Sequence, residues 1–123
     1  MKIQLENVKP MEIEKRSFEI IGQELKEQGK ILQPDTELIV KRCIHTSADF
    51  DYADNLAFSP GAVEQALAAI REGADIVTDT QMAKAGINKR SLARYGGQVH
   101  CFMSDEDVAA AAKAAGTTRA TAS

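Results

Sequence analysis

Apolar side chains recur every three or four residues in two stretches of the first half of the chain, and this spacing predicts amphipathic helices. The first helix is predicted over residues 11–28, and Gly29 follows it where a left-handed C-cap would lie. The second helix is predicted to open at Asp35, which can cap it, and to end before Phe50. The apolar side of the first helix carries Ile13, Phe18, Ile20, Ile21 and Leu25.

The middle of the chain alternates helix signals with short apolar runs. A serine-proline pair at residues 59–60 predicts the start of a third helix, because serine caps a helix and proline suits its first position; Gly73 ends it. Residues 49–58, before that pair, are expected to form a loop or a short strand. The apolar runs in residues 75–78 and 98–103 predict two strands.

Helix signals also surround the second predicted strand. Residues 79–85 predict a short helix that Gly86 ends, and Ser104, with three acidic residues after it, predicts a helix that continues to Ala115. Helices that alternate with strands are typical of α/β domains, whose parallel strands are joined by right-handed crossovers. The predicted fold class is therefore α/β, with a helix-flanked, mainly parallel sheet of the three-layer type.

The two ends of the chain are polar. Residues 1–10 predict an irregular arm, and residues 117–123 predict a cap and the first turn of a helix, with a disordered tail as the alternative. Two predicted strands make a small sheet by the standard of typical domains. We therefore expect a single domain over residues 1–123 that forms the N-terminal part of a larger, truncated fold.

Residues 38–50, which read LIVKRCIHTSADF, contain the main candidate for chemistry, His45. On a helix, Lys41 and Arg42 share its face, because residues three and four positions apart are neighbours. Histidine changes charge near neutral pH, so His45 is a candidate proton donor. Two adjacent cations favour its neutral form until an anionic ligand offsets them. The alternative is an ordinary surface histidine on a solvated basic face.

Ser17 is a second candidate, since it lies within the apolar side of the first predicted helix, between Ile13 and Ile21. A hydroxyl that faces inward needs a hydrogen-bond partner. A helical serine commonly bonds to the carbonyl one turn earlier. The alternative is that Ser17 points into a ligand pocket.

Composition argues against nucleic-acid-binding, membrane and secreted proteins. A formal net charge of −3 argues against a general nucleic-acid binder, which is usually basic. No apolar run is long enough to span a bilayer, and the N-terminus lacks the apolar core of a signal peptide. The two cysteines are too few for a disulfide framework and fit a reducing compartment. We therefore expect a cytoplasmic protein with no membrane and no nucleic-acid partner.

A metal site is the first rival interpretation, because Cys43, His45, His100 and Cys101 are potential ligands. Zinc sites need four convergent ligands in other spacings, and Cys43 is predicted to lie on the apolar arc of its helix, away from His45. We therefore expect no metal site and interpret His100 as an ordinary strand residue. The glycines and acidic residues also lack the spacing of phosphate-binding and calcium-binding loops.

Four segments together resemble the precorrin-8X methylmutases of cobalamin biosynthesis. They are IEKRSFEII at residues 13–21, the helix that carries His45, LAFSPGAVEQALAAIREGADIVTDTQMAKAGI at residues 56–87, and GTTRATAS at residues 116–123. Their shared order and spacing cover nearly the whole chain. The opening segment is more similar to the cobalt-precorrin-8 branch of the family.

The resemblance implies an isomerase that moves a methyl group between two adjacent carbons of a contracted tetrapyrrole and so produces the conjugated corrin. It implies no organic cofactor and no catalytic metal; cobalt, where present, belongs to the substrate. The implied partners are the tetrapyrrole, precorrin-8X or cobalt-precorrin-8, and a second copy of the chain in a homodimer.

The resemblance also implies roles for single residues. The catalytic histidine of the family falls on His45, and its anion-binding arginine falls on Arg119 in the sequence Gly-Thr-Thr-Arg. Ser17 matches a pocket residue of the family. A guanidinium suits the carboxylates of such a substrate, and Thr117 and Thr118 add donors beside it. The predicted substrate-binding residues are Ser17, Arg42, Thr117, Thr118 and Arg119.

One departure from the family leaves a second function open. Family members are longer, with a second half that adds strands and further pocket wall. The alternative to an active isomerase is therefore a truncated, non-catalytic module that binds a tetrapyrrole or another subunit.

Overall fold

The structure of the chain, a computed structural model, describes residues 9–123, so most of the predicted N-terminal arm lies outside the described residues. Contacts divide the chain into a first unit that ends at Val63 and a second unit that spans Glu64–Ser123. The elements are α1 (Pro10–Glu27), α2 (Glu37–Ser47), α3 (Tyr52–Asn55), α4 (Ala62–Arg71), β1 (Ile76–Val77), α5 (Gln81–Gly86), α6 (Lys89–Ala93), β2 (Val99–His100), α7 (Glu106–Ala115) and α8 (Arg119–Ala122).

The core of the first unit is the contact between α1 and α2. Its buried side chains are Ile21, Leu25, Val40 and Ile44. Each helix contributes two of them, four residues apart, because that spacing places side chains on one face. Partly buried side chains from α3 and from the segments between and after these helices pack around the four: Leu32, Phe50, Tyr52, Ala53 and Leu56.

The predicted apolar side of α1 is only partly buried. Its bounds agree with the prediction within one residue at each end. Ile21 and Leu25 are buried, but Ile13 and Ile20 are each about half exposed (52% and 51%). Helix α1 therefore carries apolar surface that the described part of this unit does not cover.

Two helix starts differ from the predictions. Thr36, not Asp35, is the N-cap of α2. The third helix, α4, begins at Ala62 rather than at the serine-proline pair, and Gly61 before it has φ 73°. A positive φ is incompatible with a right-handed helix, so Gly61 ends the preceding turn and delays the start. The expected loop over residues 49–58 also contains the short helix α3.

The second unit contains a parallel pair of strands. In β1 and β2, Ile76 pairs with Val99 and Val77 pairs with His100. This confirms the predicted α/β class with a parallel sheet, although both strands are shorter than predicted. The buried apolar side chains of this unit are those of Leu92, Cys101 and Ala112.

The end of the second unit follows the predicted pattern closely. Helix α7 ends at Gly116, whose φ of 64° is the left-handed C-cap that glycine adopts without strain. Asp105 rather than Ser104 is its N-cap. The predicted last turn of helix is present as α8, which Thr118 caps. Within residues 9–123, no helix combines the length and the hydrophobicity needed to cross a membrane.

Candidate functional site

His45 lies in the last turn of α2 and its side chain is exposed. The preceding residue, Ile44, is 1% exposed and belongs to the core between α1 and α2. Because Ile44 fixes α2 against α1 at this point, the neighbouring backbone of His45 is held while its ring faces outward. The local fold therefore presents an accessible imidazole from a well-packed helix.

The ring of His45 contacts Phe18 on α1. The two ring centroids are 5.7 Å apart and the ring planes meet at 66°, an edge-to-face arrangement. Such arrangements are favourable because the positive edge of one ring meets the negative face of the other. Within residues 9–123, neither ring nitrogen of His45 makes a hydrogen bond. Both nitrogens are therefore available to a ligand.

Arg42 links Phe18 to a carboxylate. Its guanidinium carbon lies 4.9 Å from the centroid of the Phe18 ring, in a cation–π contact. The same guanidinium hydrogen-bonds the carboxylate of Glu14. We call these three residues the Glu14–Arg42–Phe18 stack. It ties α1 to α2 directly beside His45.

The second cation near His45, Lys41, is also paired. Its ammonium lies 2.9 Å from a carboxylate oxygen of Glu37, one turn earlier in α2, and its side chain is only 16% exposed. The side chain lies over Gly22, where an added Cβ would come within 3.1 Å of Nζ. Each of the two cations predicted to flank His45 therefore carries its own carboxylate partner.

A groove of about 820 Å³ opens between α1 and α2 beside the stack. Its apolar wall includes Met11, Leu38 and Ile39, which are 86%, 71% and 41% exposed. Charged side chains of both signs lie at its edge, among them Arg42 and its partner Glu14. The groove is therefore an apolar surface with a polar, mixed-charge border, as is common for small-molecule sites.

Ser17 is half-buried on α1 and lies next to Phe18 in sequence. The expected bond from its hydroxyl to the carbonyl one turn earlier is not present, and Ser17 forms no hydrogen bond through its side chain within residues 9–123. Its hydroxyl is therefore available as a donor, but Ser17 is not among the residues that line the groove, so its pocket role stays a prediction.

The residues predicted around Arg119 lie at the junction of α7 and α8. Thr118 Oγ1 accepts a hydrogen bond from the Thr121 N–H at 3.2 Å, so this hydroxyl serves as a cap. The Thr117 N–H donates to the Ala112 carbonyl at 2.9 Å and closes the end of α7. Arg119 is exposed and forms no ion pair in the described part of the chain. Its guanidinium is therefore free to meet an anion.

The predicted site residues thus fall into two groups. Ser17, Arg42 and His45 belong to the first unit, where the stack joins Arg42 to His45. The consecutive residues 117–119 belong to the second unit.

His100, predicted to be an ordinary strand residue, has a specific partner. Its Nε2 lies 2.9 Å from Oδ2 of Asp75, and its ring stacks on Phe102 with 6.1 Å between centroids. Asp75 Oδ1 accepts the Gln98 N–H at 2.8 Å. No group of three or more histidine, cysteine, aspartate or glutamate side chains that could hold a metal ion occurs within residues 9–123. The pair is therefore a link between the segments that lead into β1 and β2.

The Asp75 carboxylate predicts an acid-sensitive contribution to stability. The Gln98 N–H, and then the hydrogen bond from His100, hold the pKa of Asp75 below its usual value. A lowered pKa in the folded state stabilises the fold above the unfolded pKa, and this contribution is lost as pH falls through the folded pKa. We expect Asp75→Asn to lower the unfolding free energy at neutral pH, with a difference from wild type that shrinks towards pH values below the usual pKa of aspartate. Urea denaturation across this range, with Asp79→Asn as the control, checks it; a difference that is constant with pH contradicts it.

The sequence profile of the precorrin-8X methylmutases matches residues 12–123. The chain belongs to this family. A cobalt-precorrin-8 methylmutase from Salmonella typhimurium is 47% identical over 116 residues, which cover 92% of this chain and 55% of that methylmutase. A cobalt-precorrin-8 methylmutase from Priestia megaterium is 41% identical over 114 residues, which cover 92% of this chain and 49% of that methylmutase. The chain spans about half the length of the curated methylmutases that it matches.

A solved methylmutase gives the same result for the fold. The structure of the precorrin-8X methylmutase from Thermus thermophilus superposes with a TM-score of 0.78 at 40% identity, over 91% of this chain and 52% of that one. The resemblance stated from sequence, to the N-terminal portion of a methylmutase, is therefore confirmed.

Two site residues of this methylmutase chain were missed by sequence reasoning. The apolar pattern places Phe18 on the core side of its helix, yet Phe18 carries the contacts to Arg42 and His45. Glu14 stands out in no sequence pattern. The only sequence signal for them is their spacing of four on α1, which puts both on one helix face. Their partner Arg42 is 28 positions from Glu14, and no local pattern predicts that contact.

Proposed function

We propose that the chain is the part of a methylmutase that carries the proton donor, His45, of an isomerase acting on precorrin-8X or cobalt-precorrin-8. The observation that carries the proposal is the family match over residues 12–123, in which the histidine expected to be catalytic stands exposed with both ring nitrogens free of hydrogen bonds within the described residues. The product is the corrin, hydrogenobyrinic or cobyrinic acid.

In the proposed reaction the methyl group migrates within one molecule, so the bond to one ring carbon breaks as the bond to its neighbour forms. His45 donates a proton or a hydrogen bond to a ring nitrogen or the adjoining carbon system and draws electron density away from the migrating group. No oxidant or acceptor is consumed. We propose no cofactor and no catalytic metal; cobalt enters only as part of the substrate.

The remaining predicted residues are proposed to hold the carboxylates and face of the tetrapyrrole. Arg119 supplies a guanidinium without an ion pair in the described part of the chain, and Arg42 supplies a second one beside the groove. The free hydroxyl of Ser17 adds a donor. Thr117 and Thr118 are proposed to add donors for the substrate beside Arg119, while the Thr117 N–H closes α7 and the Thr118 hydroxyl caps α8.

The relatives carry both substrate names at similar identity: two cobalt-precorrin-8 methylmutases at 47% and 41%, and the precorrin-8X methylmutase of Thermus thermophilus at 40%. We therefore propose a substrate that is either precorrin-8X or cobalt-precorrin-8. We also propose a homodimer in the cytoplasm. Exposed apolar side chains, such as Met11 and Leu38, favour association.

One observation favours a second candidate function. Because the chain covers about half of each relative, it could bind the tetrapyrrole without turning it over. Incubation with cobalt-precorrin-8 separates the two candidates. Appearance of the corrin absorption spectrum supports the isomerase, and saturable binding of the corrin product without turnover supports the binding module.

Replacing Arg119 tests the anion-binding role. We expect Arg119→Ala to weaken binding of hydrogenobyrinic acid by about 10- to 100-fold, since hydrogen bonds to charged groups contribute about 1.5–3 kcal/mol and about 1.4 kcal/mol is tenfold. Arg71→Ala, which removes another exposed arginine of the second unit, should leave the affinity unchanged. Isothermal titration measures both. An unchanged affinity for Arg119→Ala removes this residue from the pocket.

A further inference from the structure

We propose that the Glu14–Arg42–Phe18 stack fixes the orientation of the His45 ring, which makes Phe18 a positioning residue for the proton donor. The inference rests on the proposed function for its catalytic consequence. The orientation itself is a property of the free chain and can be measured without substrate.

The starting observation is how His45 is held. Catalytic imidazoles are commonly oriented by a carboxylate or a carbonyl that accepts a hydrogen bond from one ring nitrogen. In the described part of this chain His45 has no such partner, and its ring contact is the edge-to-face pair with Phe18 at 5.7 Å. An aromatic contact orients the ring while leaving both nitrogens free.

Phe18 can serve this purpose because its own ring is held. The Arg42 guanidinium lies over it at 4.9 Å and is tied to the Glu14 carboxylate. The ion pair with Glu14 therefore holds the guanidinium over the Phe18 ring. Phe18 is itself half-buried, so it is less free to rotate than a surface side chain.

The four side chains form a continuous series of contacts that passes between the two helices. Glu14 and Phe18 are four residues apart on α1, and Arg42 and His45 are three residues apart on α2, so each pair shares a face of its helix. The contacts Glu14–Arg42, Arg42–Phe18 and Phe18–His45 connect the two pairs. Since α1 and α2 are fixed by their core, the position of the His45 ring follows from the packing of the helices.

This arrangement has a chemical advantage for a proton donor. A hydrogen bond to a carboxylate would occupy one nitrogen and stabilise the charged imidazolium. With an aromatic neighbour instead, one nitrogen can face the substrate while the other exchanges protons with water. Misplacement of a reacting group by about 1 Å can cost on the order of 10²-fold in rate, so the fixed orientation matters for turnover.

The test uses nuclear magnetic resonance on the full chain, where the low number of histidines makes assignment simple: the sequence has 2, His45 and His100. Each contacts a different phenylalanine, Phe18 or Phe102. We expect wild-type His45 to show one χ1 rotamer, nuclear Overhauser contacts to the Phe18 ring and a ring-current shift. Phe18→Leu should abolish all three and leave the His100 signals in place. Phe102→Leu should do the reverse.

Substitutions of Glu14 and Arg42 test the stack while leaving the Phe18 ring in place. Glu14→Gln and Arg42→Met should broaden or average the His45 rotamer, because Phe18 is then no longer held. Glu24→Gln removes the same charge from an exposed position of α1 without a side-chain partner in the described residues, and should change nothing at His45. Backbone amide shifts of α2 show whether each variant is folded.

Turnover measurements add the catalytic consequence. Phe18→Leu should lower kcat by about 10- to 100-fold with little change in KM, and Phe18→Tyr, which keeps the ring, should restore most of the rate. Unchanged His45 signals in Phe18→Leu overturn the proposal at any level of activity. Normal kcat in Phe18→Leu, from an active wild type, also overturns it and leaves the methylmutase function intact. Absence of both turnover and product binding in wild type instead overturns the proposed function, while the His45 signals still decide the orientation.

Discussion

Replacing His45 with alanine is expected to lower the rate of the methyl shift by roughly 10²–10⁴-fold, the range that general acid catalysis typically supplies. Binding of the corrin product should remain close to wild type, because the anion-binding groups are other residues. His45 is exposed, so its loss should not disturb the core of α1 and α2. The visible absorption of the corrin formed in a single turnover gives the rate, and a product titration gives the affinity.

A second substitution separates proton donation from hydrogen bonding. His45→Gln keeps a hydrogen-bond donor but cannot transfer a proton at neutral pH. A rate as low as that of His45→Ala identifies proton transfer as the essential step, whereas partial recovery identifies a hydrogen bond as sufficient. A normal rate in His45→Ala contradicts the assignment of the acid to this residue.

Replacing Ile44 with alanine is expected to have the largest effect on stability, a loss of about 2–5 kcal/mol in the unfolding free energy. Ile44 is 1% exposed and lies in the core between α1 and α2. The substitution leaves a cavity between α1 and α2. The remaining core residues keep the two helices in place, so no other side chain fills the cavity. Since Ile44 holds the backbone next to His45, the rate of the methyl shift should fall together with stability.

The matched control lies in the same helix. Ile39→Ala makes the same chemical change at a position that is 41% exposed, and we expect its effect to stay within about 0.5 kcal/mol. Urea denaturation measures both variants. Tyr52 packs against the same core and gives a fluorescence signal for the first unit once Tyr95→Phe removes the other tyrosine. Equal stability of the Ile44 and Ile39 variants contradicts the assignment of the core.

Features encoded within one turn of the chain could be predicted from sequence. The C-cap at Gly116 and the cap of α8 by Thr118 both depend on residues within a few positions of the helix end. The parallel pairing of the strands also followed, because the order of helices and strands permits few topologies.

The predicted starts of α2 and α4 were wrong because two sequence signals competed at each start. Asp35 and Thr36 are both good N-cap residues, and the sequence does not say which one the chain uses. The serine-proline pair at residues 59–60 is a strong start signal, but Gly61 takes a positive φ immediately after it. Backbone conformation at a glycine is not fixed by its neighbours, so the later start of α4 was not predictable.

The candidate site could be predicted only in part for a different reason. His45 and Arg42 share a helix face, which the spacing shows. The contacts to Phe18 and Glu14 join residues 27 and 28 positions apart and depend on how α1 packs against α2. The same dependence explains why Ile13 and Ile20 are exposed although they continue the apolar pattern. Helical spacing predicts which residues share a face, but only the packing of the helices shows which part of that face is buried.

If this chain holds the tetrapyrrole site proposed for it, with His45 as the acid, it should bind hydrogenobyrinic acid, and a titration followed by visible absorption measures that binding. We predict saturable binding that persists in His45→Ala and weakens in Arg119→Ala. A chain that is folded by circular dichroism but leaves the corrin spectrum unchanged at every concentration would overturn the proposed tetrapyrrole site.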